Sequence, residues 1–285
     1  VSQEAAGAGE ARIYDQGYRP WTGPRGAVGT RFWIVAWHEL AQAWKNKWFR
    51  RVVWASFFPL GVFSVLLIVT SRLGGVVQLG PADTWVQFWG VQQLFAMLVV
   101  YHLGRNAIAE DLRTGALAVY FSRPVSFAQY LGGKWLAVAL GVAGVTLAPG
   151  MVLAVFQALV GEQTGPLVFL RAALSLVVLT ALLAAVEGAV VLAISSLAPR
   201  GRVAGIVWVL VFFLSAGLGA GLAEASGVEA LGALGFPDAH ARLAERLFGL
   251  RDLDVAALWA LGSHGLWTLG ALGIVLLRLR RWRGY

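Results

Sequence analysis

The stretch Glu110–Lys134, EDLRTGALAVYFSRPVSFAQYLGGK, is the longest polar interruption between strongly apolar runs in the first two-thirds of the chain. It opens on charge (Glu110, Asp111, Arg113) and carries a turn signal, Ser122-Arg123-Pro124, in its middle. The residue before a proline is biased away from the helical region, so Arg123-Pro124 should separate one short helix from the next, with Ser126 as the cap of the second. The pattern predicts a compact helical elbow outside a bilayer, joining two spans. An ordinary solvated connector fits the same composition.

The rest of the composition supplies the bilayer. Of 285 residues, 58% are hydrophobic and 13% charged, and the mean hydropathy is +0.69. A soluble domain of this length cannot bury so much apolar surface, so lipid is the expected solvent. The formal net charge is +8. A basic balance can signal nucleic acid, but here the charges stand beside apolar runs, as the positive-inside rule requires, and no phosphate-binding face emerges. There is no cysteine, which excludes a disulfide framework and a thiolate metal site. Two methionines and four scattered histidines argue against a soft-metal pathway. The first residues lack the basic-apolar-small order of a signal peptide.

The order acidic-Asp-Leu-Arg-Thr-Gly-small-Leu, then Ser-Arg-Pro-Val-Ser, then Tyr-Leu-Gly-Gly-Lys resembles the cytoplasmic loop between the second and third spans of ABC type-2 exporter permeases. Glu110, Asp111, Arg113, Thr114, Gly115, Leu117, Ser122, Arg123, Pro124, Val125, Ser126, Tyr130, Leu131, Gly132 and Lys134 carry the match. The resemblance implies a coupling helix that docks on a separate cytoplasmic ATP-binding subunit. Glu110, Asp111, Arg113, Thr114, Gly115, Leu117, Arg123, Pro124 and Ser126 would be the contact residues. It further implies a dimeric pathway with a second permease copy, and ATP and Mg bound by the partner subunit, with no cofactor on this chain.

Taken in order, residues 1–30 read as a cytoplasmic tail without periodicity. Residues 31–51 are expected to form an interfacial amphipathic helix, the alternative being a helix packed on a soluble partner: Trp33, Trp37, Leu40, Trp44 and Trp48 recur on one helical face, with Arg31, His38, Gln42, Lys45 and Asn46 on the polar side. Residues 52–277 form a six-span transmembrane domain, and residues 278–285 a basic cytoplasmic tail. The spans are expected at 52–70, 84–103, 135–160, 167–197, 203–222 and 255–277. Pro59 and the Pro149-Gly150 pair are expected kink points. Gln92 and Gln93 are adjacent and cannot face one direction, so at least one should meet another helix. Residues 223–254 should form a short amphipathic hairpin on the outer face, with Leu243, Leu247 and Leu250 on one side and Arg242, Glu245 and Arg246 on the other. The fold class is thus all-α membrane protein.

Orientation follows from charge. Of 23 lysines and arginines, eighteen fall in the tail and interfacial helix, the elbow, the turn at 198–202 and the C-terminal tail; five fall on the other side. Both termini and the elbow are therefore expected in the cytoplasm, and the chain in the inner membrane.

No nucleotide-binding loop is visible. Trp135 follows Gly132-Gly133-Lys134 where such a loop needs Ser or Thr. The chain is therefore not expected to hydrolyse ATP itself. Ser263-His264 is a poor catalytic pair, because adjacent helical residues diverge by about 100°. Glu187 is the only acidic residue well inside a span, either lining a pathway or gluing two helices together. The expected function is a permease subunit of an ATP-driven exporter. An ion-coupled secondary transporter and an intramembrane enzyme are the alternatives.

Overall fold

The computed structural model describes residues 30–72, 80–122, 125–160 and 165–280. The tail up to residue 29, Arg123, Pro124, the two short loops at 73–79 and 161–164, and residues 281–285 lie outside the described residues. Every regular element among the described residues is helical: α1 (Arg31–Lys45), α2 (Lys47–Ala55), α3 (Phe58–Arg72), α4 (Pro81–Gly104), α5 (Ala109–Thr114), α6 (Ala116–Phe121), α7 (Phe127–Val160), α8 (Pro166–Leu197), α9 (Gly201–Ser226), α10 (Phe236–Leu247) and α11 (Val255–Arg278), with a 3-10 helix at Glu229–Leu234 before α10.

Five stretches are long and apolar enough to cross a membrane: Lys47–Thr70 (α2 with most of α3), α7, α8, α9 and α11. This makes the chain a multi-pass membrane protein. The expected second span, α4, has 24 residues but is too polar to join them. Its interior glutamines are the reason. Gln92 and Gln93 are both buried, and Gln92 Nε2 donates to the Ser56 carbonyl at 3.0 Å. A helix enclosed by other helices can carry such groups, because its neighbours take the place of water.

The first boundary differs from expectation. Helix α1, expected to run to residue 51 as an interfacial helix, ends at Asn46, whose extended backbone (φ −77°, ψ 123°) breaks the chain, and whose side chain caps α2 by accepting from the Trp48 amide at 2.8 Å. The membrane-length stretch therefore begins at Lys47, five residues before expected. The Pro59 bend is displaced upstream into a turn at Ser56-Phe57, and Pro59 sits in the first turn of α3, where its missing N–H costs little. Pro149 lies inside a helix that continues through it. The expected third span, α7, starts at Phe127, eight residues before expectation, so Tyr130 and Lys134 belong to α7 itself.

Helix α1 lies along α7. It presents Val35 and Ala36 to the bundle, while Trp33, Trp37, Trp44 and Trp48 stay exposed. Leu40 of the same stripe is half-buried, and Trp37 and Trp44 border a groove with Leu140 and Gly141 of α7, so the stripe runs along the edge of that contact. The close approach is set at Gly133, where an added Cβ would strike the Phe32 carbonyl and Val35.

At the opposite end, residues 227–254 fold back into the bundle. Helix α10 packs on α4, α8, α9 and α11. Phe236 stacks on Trp208 (6.1 Å, 18°) and meets Trp267 edge-on. Arg246 does not lie on a solvated face as the leucine pattern suggested. It is buried, its guanidinium forks onto the Asp254 carboxylate (2.7 and 2.8 Å) and donates to the Arg242 carbonyl. Asp254 also caps α11 through the Ala257 amide. One carboxylate therefore joins the hairpin to the next helix.

That junction should be pH-sensitive. The hydrogen bond from Arg246, helped by the Ala257 amide, holds Asp254 down to about 2. A depressed carboxylate adds stability above its unfolded value of about 3.9 and loses it as pH falls through about 2. Asp254→Asn should lower the melting temperature by a few degrees at pH 7. The gap to wild type should close as pH approaches 2, measured by intrinsic fluorescence in detergent.

Candidate functional site at the helical elbow

The expected elbow exists as two single-turn-and-a-half helices meeting at Gly115. The glycine is demanded by its backbone, with φ 73° and ψ 12°, a left-handed conformation that a side chain disfavours. Among the described residues nothing beyond its chain neighbours lies within 4 Å of where its Cβ would stand.

Helix α5 has no cap of its own. Ile108 precedes it, and the Ile108 and Ala109 amides donate instead to Ser195 Oγ on α8, both at 3.0 Å. Ser195 in turn donates to the Arg105 carbonyl at 3.2 Å. The orphan amides of a helix start are thus satisfied by a residue some 86 positions later. This long-range cap fastens the elbow to the end of α8.

A second fastening is ionic. Lys134 on α7 is 2% exposed, and its Nζ lies 2.7 Å from Glu39 on α1 and 2.7 Å from Asp111 on α5. The Tyr130 hydroxyl donates to the same Asp111 oxygen at 2.8 Å. The rings of Tyr120 and Tyr130 flank the ammonium at 5.8 and 5.5 Å. Burial raises the Tyr120 phenol above its ordinary value, with Lys134 opposing, so it stays protonated. Buried charges are tolerated only when paired and hydrogen-bonded, and here the ammonium holds three elements at one point.

Helix α6 is anchored by rings. Leu117 is buried, Tyr120 lies 5.1 Å from Tyr130, and Phe121 packs on Phe127 and Tyr130. Ser126 and Gln129 then form a reciprocal capping box at the start of α7: the Gln129 amide donates to Ser126 Oγ, and the Ser126 amide to Gln129 Oε1.

What faces outward is narrower than the sequence suggested. Glu110 and Arg113 form an exposed bidentate pair, and their hydrogen bond holds the Glu110 carboxyl below its usual range. Thr114, Gly115 and Ser126 are exposed, with Thr114 Oγ1 donating to the Glu110 carbonyl. Asp111 and Leu117 point inward. Arg123 and Pro124 lie outside the described residues.

Glu187 is wholly buried on α8, and neither carboxylate oxygen has a hydrogen-bond partner among the described residues. Residues 187, 191 and 195 stand four apart on one face of α8. Val191 fills the notch at Gly104 of α4, and Ser195 holds the elbow. The carboxylate therefore sits about 12 Å along the same helical face from the elbow's cap. His264, by contrast, is engaged with His240 at 2.9 Å and with the Ala260 carbonyl. Among the described residues no group of three or more His, Asp or Glu is arranged to hold a metal.

Lys134, Glu39, Tyr130 and Ser195 were missed as site residues. A usable signal existed for Lys134. A lysine eight residues beyond a capping serine and just before a long apolar run must find buried partners if the helix is continuous. Nothing local marks Ser195.

Neither the comparison with protein-family models nor that with curated proteins matches anything to this chain.

Lys134→Met would deprive the Glu39 and Asp111 carboxylates of their shared buried cation, and breaking a buried pair costs roughly 3–5 kcal/mol. The variant should unfold at clearly lower temperature in a detergent melt. Glu110→Ala should shift the same melt little, since an exposed pair contributes about 0–1 kcal/mol.

Proposed function

We propose that the chain is the permease subunit of an ATP-binding-cassette exporter of the type-2 class. In this reading it crosses the inner membrane six times with both termini in the cytoplasm, works as a dimer, and is driven by separate cytoplasmic ATPase subunits. The sixth crossing is α4, whose 24 residues extend about 36 Å and whose polar face is enclosed by neighbouring helices. Alternation of helix direction supports this. The starts of α4, α8 and α11 and the ends of α7 and α9 gather at the hairpin: Trp85 meets Gln157, Ser175 meets the Leu247 carbonyl, and α9 runs into the 3-10 turn. The opposite helix ends gather at the elbow, where Arg105 meets Ser195 and Arg278 meets the Ser196 carbonyl.

The observation that carries the proposal is the elbow itself. Its two short helices are tied to α1 and α7 through Lys134 and to α8 through Ser195, while Glu110, Arg113 and Thr114 stay exposed. A soluble motor needs such a rigid contact to move the spans, because a loose loop dissipates displacement. The resemblance of this stretch to a coupling loop points the same way.

Glu110→Ala with Arg113→Ala removes only the exposed pair. If the elbow is the docking surface, the variant should keep its melting temperature. It should lose at least tenfold in ATPase capture or in substrate-stimulated hydrolysis. Wild-type capture and coupling by that variant would remove the main support for the assignment.

Ion-coupled transport is the second reading, favoured by the unpartnered carboxylate of Glu187. Glu187→Gln should abolish proton- or cation-driven uptake in reconstituted vesicles if that reading holds. If ATP drives transport, the variant should leave transport dependent on nucleotide and insensitive to an imposed ion gradient.

A further inference from the structure

At the hairpin end a cavity of about 260 Å³ opens between α4, the end of α7, the start of α8 and the turn after α10. Its polar lining consists of Gln157, Arg171 and Ser175, and Trp85 and Phe248 form an aromatic wall, stacked at 5.2 Å and 15°. No carboxylate lines it among the described residues. The Ser175 hydroxyl donates to the Leu247 carbonyl. Gln157 is buried, and its Oε1 accepts from the Trp85 indole, so the donor end of the amide is what remains for an occupant. Arg171 makes no ion pair or hydrogen bond among the described residues. Its guanidinium lies over Gly249, where any Cβ would overlap it. The turn there is left-handed (φ 83°), so glycine serves both the backbone and the approach of the arginine.

Among the described residues the available groups are thus donors and one unpaired cation. Such a set recognises an anion with acceptor oxygens, and a guanidinium is suited to phosphate in particular. The cavity is too small for a whole amphiphile, but its mouth continues into an apolar track. Leu167, Leu170 and Leu174 recur at helical spacing on α8 and are exposed. We propose that this pocket binds the phosphate headgroup of an anionic amphiphile, with Arg171 and the Gln157 amide on the phosphate oxygens, Trp85 and Phe248 against the glycerol region, and an acyl chain along the leucines. This rests on the chain lying in a membrane. It does not depend on an ATPase partner.

Native mass spectrometry of the purified protein in detergent tests it, with phosphatidylglycerol, phosphatidylcholine and inorganic phosphate as probes. Wild type should retain one phosphatidylglycerol in clear preference to phosphatidylcholine. Arg171→Gln should cut that retention about tenfold, as loss of a charge-assisted hydrogen bond predicts. Arg171→Lys should restore part of it. Arg251→Gln, at an exposed arginine of the same end, should change nothing. Equal retention of the two lipids, or undiminished retention by Arg171→Gln, would overturn the proposal. Displacement of the lipid by millimolar phosphate would overturn its amphiphile half in favour of a site for free phosphate. Melting temperatures of the variants separate a lost site from a lost fold. Failure here would leave the exporter assignment intact, since that assignment is read from ATPase capture.

Discussion

An ammonium group buried where the bundle meets the elbow constrains everything near it. Lys134 cannot be left unpaired at 2% exposure, so α1 must bring Glu39 and α5 must bring Asp111 to within 2.7 Å. That requirement fixes how the tryptophan-striped helix lies against α7. It also turns Asp111 inward and leaves Glu110 and Arg113 outside. The close approach at Gly133, one residue from the ammonium, is what allows α1 near enough to supply its carboxylate.

The two ends of the molecule use polar chemistry for different purposes. At the elbow, Lys134 and Ser195 join elements that must move together if motion is to be transmitted. At the hairpin, Arg246 and Asp254 hold α10 against α11, and the aromatic stack of Trp208, Phe236 and Trp267 seats the 3-10 segment among the spans. Between the ends the helices are mostly apolar, with Gln92 and Gln93 buried on α4, and Glu187 is the only acid buried in the bundle interior among the described residues. Its place on the face of α8 that ends in Ser195 relates the one buried acid to the elbow through a single rigid element.

Much of this was legible in the chain. The boundaries of α8 and α11 fall within a residue of expectation, because long apolar runs with clear flanks leave no competing structure. The elbow's position, its glycine and the Ser126 cap also follow from local signals. The errors have a common cause. Span three was started after Lys134 because a lysine looks like a loop residue until its partners are known. Asp111 was placed on the docking face, and Arg246 on a solvated face, for the same reason: side-chain direction on a short helix depends on which charge lies opposite.

The sequence by itself determined the class of the protein, since helix formation uses hydrogen bonds within a few residues and an apolar run of twenty has to satisfy them internally in lipid. It also determined where the polar interruptions fall. Only the tertiary structure decided what those interruptions do. Lys134 and Glu39 are 95 residues apart, and Ala109 and Ser195 are 86 apart. No local pattern encodes such pairs, because each is stable only after packing has removed water from both partners.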